Sequence, residues 1–166
     1  MAIIYDKNEG LFHLTTPTSS YVMWLKDENI LIHLYYGKKL SDLDGIKNTI
    51  NACALPGFSC VDYNLREKGE RGTTDVMPLE YSYFGSADLR KPAFHAQYEN
   101  GSRITQMAYV GHTIKKGKQP LCGLPSTYVE NDNEADTLEI EMKDALTGLV
   151  IVYRYSVYSD FDAITR

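Results

Sequence analysis

A chain of 166 residues, 43% hydrophobic and 23% charged, has the length of one domain and the balance of a globular fold. That composition excludes a disordered segment, and no apolar run approaches the roughly 20 residues of a spanning helix, so a membrane partner is excluded as well. With 22 acidic against 17 basic residues and a net charge of −5, the positive face that nucleic-acid backbones require is missing, which excludes nucleic acid.

In chain order the first 37 residues read as a meander: "IIYD", a Lys-Asn-Glu-Gly turn, "LFHLTT", a Pro-Thr-Ser break, "YVMWLK", an Asp-Glu-Asn turn and "ILIHLYYG". From Leu40 to Ala54 the spacing of Leu43, Ile46 or Lys47, Ile50 and Ala54 allows one short helix, weakened by Gly45. Residues 55–78 mix Gly, Pro and charges without period and predict a projecting loop or hairpin. A hairpin is expected to join "AFHAQYE" to "RITQMAYVGHTI" through Asn100-Gly101-Ser102, a turn whose Gly accepts positive φ. In "DTLEIEMKD", Leu138, Ile140 and Met142 alternate with Glu139, Glu141 and Lys143, the period of a strand with one buried face. After "ALTG" comes "LVIVYRYSVYSD", apolar on both faces through Leu149 to Tyr153 and alternating beyond, as if leaving a sandwich interior for its edge. The 13 tyrosines suit strands too. The fold class expected is all-β, an antiparallel β-sandwich over 1–166 with one short helix near 41–54, and Leu138, Ile140, Met142, Ile151 and Tyr153 belong to its core.

The chemistry is sparse. Cys53, Cys60 and Cys122 are odd in number and widely spaced, which argues against a disulfide framework and a zinc site and for partly buried free thiols. "MAIIYDKNEG" shows no basic-then-apolar leader pattern, so a cytoplasmic location is expected. His13, His33, His95 and His112 lie in separate segments and read as structural. "ENDNEAD" has the acid density of a calcium loop, but Thr137 and Lys143 stand where Gly and Glu are needed, which leaves a solvated turn and no metal. Asp88, Arg90 and Arg103 read as polar locks for turns. Trp24, Tyr35, Tyr36, Tyr83 and Tyr98 could stack on sugars, and strand propensity explains them equally well.

Nine segments, in order, resemble the amino-terminal part of bacterial family 36 glycoside hydrolases, chiefly α-galactosidases: "MAIIYD", "FHL", "SYV", "HLYYGKKL", "PLEYSYFGSADLRKPA", "ENGSRI", "YVGHTIKKGKQPLCGLPSTYVE", "EADTLEIEMKDALTGL" and "DAITR". The resemblance implies the first part of a β-supersandwich, followed in the family by a (β/α)8 barrel that carries the reaction. It implies hydrolysis of terminal α-galactosides with retention, no organic or metal cofactor, a homotetramer, and no catalytic residue within these 166 positions. Asp88 and Arg90 map onto the family's Asp-Phe-Arg corner, with Leu89 where an aromatic is usual. In the family's tetramers an amino-terminal loop reaches a neighbour's catalytic pocket. By position, Arg71 corresponds to that loop's arginine, with Arg66 competing, and Asp62 to its acid; a charged hairpin without substrate contact is the alternative. Two other classes stay open: a stand-alone carbohydrate-binding sandwich and a purely structural assembly module.

Overall fold

In the computed structural model, which describes residues 2–51, 77–85 and 91–166, the period-two segments form two antiparallel four-stranded sheets. The first contains β1 (Ile3–Asp6), β2 (Leu11–Thr15), β3 (Ser19–Lys26) and β4 (Ile30–Lys38) in sequential order. Its turns are tight. Gly10 closes the first with φ +66°, and a Cβ there would meet the Leu25 carbonyl oxygen at 2.8 Å, so only glycine fits. Asp27 and Glu28 close the third with φ of 54° and 56°, left-handed backbone that acidic residues at a turn tolerate.

The second sheet holds β5 (Met107–Lys116), β6 (Ala135–Asp144), β7 (Val150–Tyr158) and β8 (Ile164–Thr165). Alternation aims Leu138, Ile140 and Met142 of β6 inward beside Tyr153, Tyr155 and Val157 of β7. Ile3, Phe12, Leu14, Met23, Leu25 and Leu31 of the first sheet complete the same cluster, so the two inner faces share one core. On the outer face Glu139 bridges three strands, with Lys115 Nζ at 2.7 Å and Arg154 Nη2 at 2.6 Å. All five expected core residues belong to this core, with Ile151 only partly buried at its margin.

The expectations hold at some points and fail at others. The one short helix expected near 41–54 is present among the described residues as α1 (Asn48–Asn51), starting only after Gly45, which at φ +71° keeps the earlier residues out of it; Ala54 lies outside the described residues. The turn at Asn100-Gly101-Ser102 forms, with Gly101 at φ +80° and the Tyr98 amide donating to the Ser102 carbonyl. Its first arm, however, is not a strand: Phe94 makes a single bridge, to Tyr83, and regular pairing starts at Met107. The burial of β7 runs opposite to expectation, with Val150 and Val152 exposed and Tyr155 to Tyr158 buried. The cause is register: Val150 and Val152 stand opposite Lys143 and Glu141 on the outer face of the sheet, while Ile151 and Tyr153 stand opposite Met142 and Ile140 on the inner one. In "ENDNEAD" residues 130–133 are solvated, whereas Asp136 is buried. Cys122 is free but exposed; Cys53 and Cys60 lie outside the described residues.

This placement has a direct test in chemical denaturation. Ile140→Ala, which empties a fully buried site, should cost about 2–5 kcal/mol, whereas Val152→Ala at the exposed margin should change stability by no more than about 0.5 kcal/mol.

Candidate functional site

Residues 77–80 run along the open edge of β4. The His33 amide donates to the Pro78 carbonyl at 2.8 Å, the Glu80 amide donates to the Leu31 carbonyl at 3.0 Å, and Ile32 pairs with Leu79. Strand alternation then points Leu79 toward a small outer cluster with Ile30, Ile32, Ile50 and Met77, and swings Glu80 inward between the sheets. Ile50 and Met77, the residues nearest each side of positions 52–76 that this cluster holds, thus share one apolar contact group.

Glu80 is 7% exposed. Its Oε1 accepts from the Tyr21 hydroxyl of β3 at 2.5 Å, the Tyr155 hydroxyl of β7 at 2.6 Å and Arg166 Nη1 at 3.3 Å. Arg166 also donates to the Glu80 carbonyl and lies 5.3 Å from the Tyr81 ring. Oε2 is different: it is buried and has no hydrogen-bond partner, and His33 Nδ1 lies 3.4 Å from it. Burial pushes the Glu80 carboxyl up, but the His33 imidazole and the Tyr155 and Tyr21 hydroxyls outweigh it and hold the group below the usual glutamate range. The same charge and burial push both tyrosine hydroxyls up.

Over this carboxylate opens a cleft of about 450 Å³, lined by Tyr21, His33, Pro78, Glu80, Ser82 and Lys91 among others. The Tyr21 ring stands between His33, 4.8 Å away, and Tyr36, 5.8 Å away. Two further carboxylates join the sheets elsewhere. Asp136 accepts from the Ala2 amide at 2.7 Å and pairs with Lys116 at 2.8 Å, while Asp162 accepts from the Thr16 hydroxyl and, at 2.9 Å, from that of Ser19. Hydrogen bonds from Thr16, Thr18 and Ser19 hold Asp162 down to about 2. Among the described residues no group of three or more His, Cys, Asp or Glu side chains is placed to hold a metal ion.

The profile described as "Glycosyl hydrolase family 36 N-terminal domain" matches residues 29–166. The chain belongs to glycosyl hydrolase family 36. Over its whole length it is 38% identical to the α-galactosidase AgaA of Geobacillus stearothermophilus, of which it covers 22%. It is 32% identical to the bifunctional α-galactosidase/sucrose kinase AgaSK of Mediterraneibacter gnavus, covering 17% of it. The crystal structure of α-galactosidase AgaB from Geobacillus stearothermophilus superimposes with a TM-score of 0.86 at 39% identity, over 99% of this chain and 21% of that one. The chain therefore spans about a fifth of the length of these relatives.

For this family 36 N-terminal domain, the sequence-predicted site residues Arg71, Arg66, Asp62, Asp88 and Arg90 all lie outside the described residues. Arg103 reaches only Gln97, at 3.4 Å and exposed. Of the aromatics named for stacking, Tyr83 is buried and Trp24 is flanked by the Lys26 and Lys47 ammonium groups, each 5.3 Å from its ring. Tyr35 and Tyr98 bind neighbours through their hydroxyls, and Tyr36, 64% exposed, keeps an open face. His13 meets Ser20 at 2.8 Å, His112 packs on Tyr5 and Phe12, and His95 stacks on Phe84, all structural as expected. Sequence reasoning missed Glu80, because an acid between Leu79 and Tyr81 has the local pattern of a solvent-facing strand residue. The signal that could have found it is the "PLEYSYFG" run, matched to the family without any chemical role.

A pH titration tests the hub. The lowered carboxyls contribute stability that is present above their ordinary range near pH 4 and lost as pH falls through their folded-state values. Glu80→Gln should cost roughly 3 kcal/mol at pH 7, and its gap from wild type in urea-unfolding midpoints should close as pH falls below about 4. A pH-independent gap would contradict the role of the Glu80 charge.

Proposed function

We propose that this chain is the non-catalytic N-terminal domain of an α-galactosidase that removes terminal α-linked galactose, with retention, from raffinose-type oligosaccharides. The observation that carries the reading is the match of the whole chain to 22% of AgaA at 38% identity. Variants of AgaA have been solved with raffinose and with stachyose, which supports that substrate class. Residues 1–166 form one sandwich unit, and the catalytic barrel belongs to the remainder of a longer chain. Retaining hydrolysis needs two carboxyl groups about 5–5.5 Å apart, one of them free to attack. Glu80, with Oε1 shared among two tyrosines and an arginine, is not free to attack.

In this reading the enzyme is a cytoplasmic homo-oligomer, a tetramer, and needs no cofactor. Arg71 and Asp62 supply polar groups to the galactose end of a neighbouring subunit's pocket, while Asp88 and Arg90 lock a corner. The second reading, a stand-alone sugar-binding sandwich, is favoured by one observation: the open face of Tyr36 beside the Glu80 cleft.

Purified 166-residue chain should release nothing from a chromogenic α-galactoside, and activity that survives repurification would overturn the non-catalytic assignment. In a full-length enzyme carrying this domain, Arg71→Ala should lower kcat/KM by about tenfold, the worth of one charged hydrogen bond. It should shift stability by no more than about 0.5 kcal/mol. Unchanged kinetics would refute the role of Arg71.

A further inference from the structure

We propose that the cleft over Glu80 is a carbohydrate-binding subsite within the N-terminal domain itself, one that takes a neutral, hydroxyl-bearing sugar unit. This deepens the second reading above, a sugar-binding sandwich, and rests on it; it is independent of the family assignment, because the cleft lies among residues of the sandwich and uses no barrel residue.

Three observations converge. The first is a carboxylate satisfied unevenly: Glu80 lines the cleft, its side chain is 1% exposed, Oε1 has three hydrogen-bond donors, and Oε2 has no hydrogen bond and faces His33 Nδ1 at 3.4 Å. A buried carboxylate oxygen left this way is unfavourable, and a donor brought into the cleft relieves it. Because Oε2 is recessed, the donor must be small, as a hydroxyl is.

Charge is the second. Lys91 lines the cleft and Arg166 flanks its floor, so a cationic ligand meets positive groups while an anionic one meets the Glu80 carboxylate. A neutral polyol avoids both penalties, and its hydroxyls can accept from the exposed Lys91 ammonium as well as donate. The third is an apolar platform. Tyr36 is 64% exposed, and its ring lies 5.8 Å from that of Tyr21, which lines the cleft. A sugar ring has C–H faces that pack on such a ring while its hydroxyls face polar partners. Few soluble ligands other than carbohydrates combine an apolar face, several hydroxyls and no charge at a size that fits about 450 Å³.

The test is amide-resolved NMR titration of the 166-residue chain with galactose and, separately, with raffinose. Saturable shifts centred on Tyr21, His33, Ser82 and Lys91 are expected, with the millimolar affinity usual for a shallow site that holds a few hydroxyls. Tyr36→Ala should weaken binding about fivefold and Glu80→Gln about tenfold. Tyr128→Ala, which removes another exposed tyrosine outside the cleft, should leave affinity unchanged. Should Glu80→Gln fail to fold, Tyr36→Ala and Lys91→Ala decide the matter alone, since both residues are exposed. Absence of shifts with either sugar, shifts centred elsewhere, or affinity unaltered in Tyr36→Ala and Lys91→Ala would overturn the proposal. None of these results bears on whether the parent enzyme cleaves α-galactosides, which the chromogenic assay and the Arg71→Ala kinetics decide separately.

Discussion

Glu80 sits where four parts of the chain converge, and the fold tolerates its buried charge because each brings a donor or a cation: Tyr21 from β3, His33 from β4, Tyr155 from β7 and Arg166 from the residue after β8. A carboxylate taken out of water without such partners costs several kcal/mol, so its position is a constraint as well as a contact. Both sheets must arrive in one relative placement for Oε1 to receive two phenol hydroxyls at 2.5 and 2.6 Å. The apolar core does not impose this placement by itself, since hydrophobic burial is non-directional and leaves register between facing sheets weakly specified. Asp136 and Asp162 repeat the device at smaller scale, tying the start of β1 and the β2–β3 turn to the second sheet. Three carboxylates therefore set the geometry within which the aliphatic and aromatic side chains pack.

The same arrangement connects the fold to the site. Glu80 is held by main-chain pairing to β4 and by side-chain pairing to β7, and the residues just before it, Met77 to Leu79, pack on the outer cluster with Ile50. The flanks of positions 52–76 are consequently fixed to the rigid part of the sandwich. The proposed role of Arg71 and Asp62 at a neighbouring subunit's pocket requires such fixed flanks, because positional error there would be carried to the residues between them. The cleft, its aromatic wall and its acceptor are by-products of the same convergence.

The parts of this architecture legible in the sequence are those that depend on local period. Leu138, Ile140 and Met142 alternate with charges, and the first four strands are separated by turn residues, so their existence and their inward faces follow directly. Features set by long-range pairing were not legible. Val150 and Val152 look like interior residues, and only the register of β7 against Lys143 and Glu141 places them on the outer face. Phe94 to Tyr98 have strand-like composition but, among the described residues, pair only through the one bridge of Phe94 to Tyr83. Glu80 is the extreme case: its partners lie 59 and 75 residues away on the tyrosine side and 86 on the arginine side, separations over which no periodicity carries information. Arg71 and Asp62 follow from family resemblance alone, which supplies position along the chain and not geometry.

The claim that one carboxylate fixes both sheets is tested most directly by native-state hydrogen exchange of Glu80→Gln against the unaltered chain. The account predicts that protection falls together in β3, β4 and β7, because all three lose the shared acceptor at once. Loss confined to residues 77–85, with β3 and β7 as protected as before, would contradict it and reduce Glu80 to a local support for its own segment.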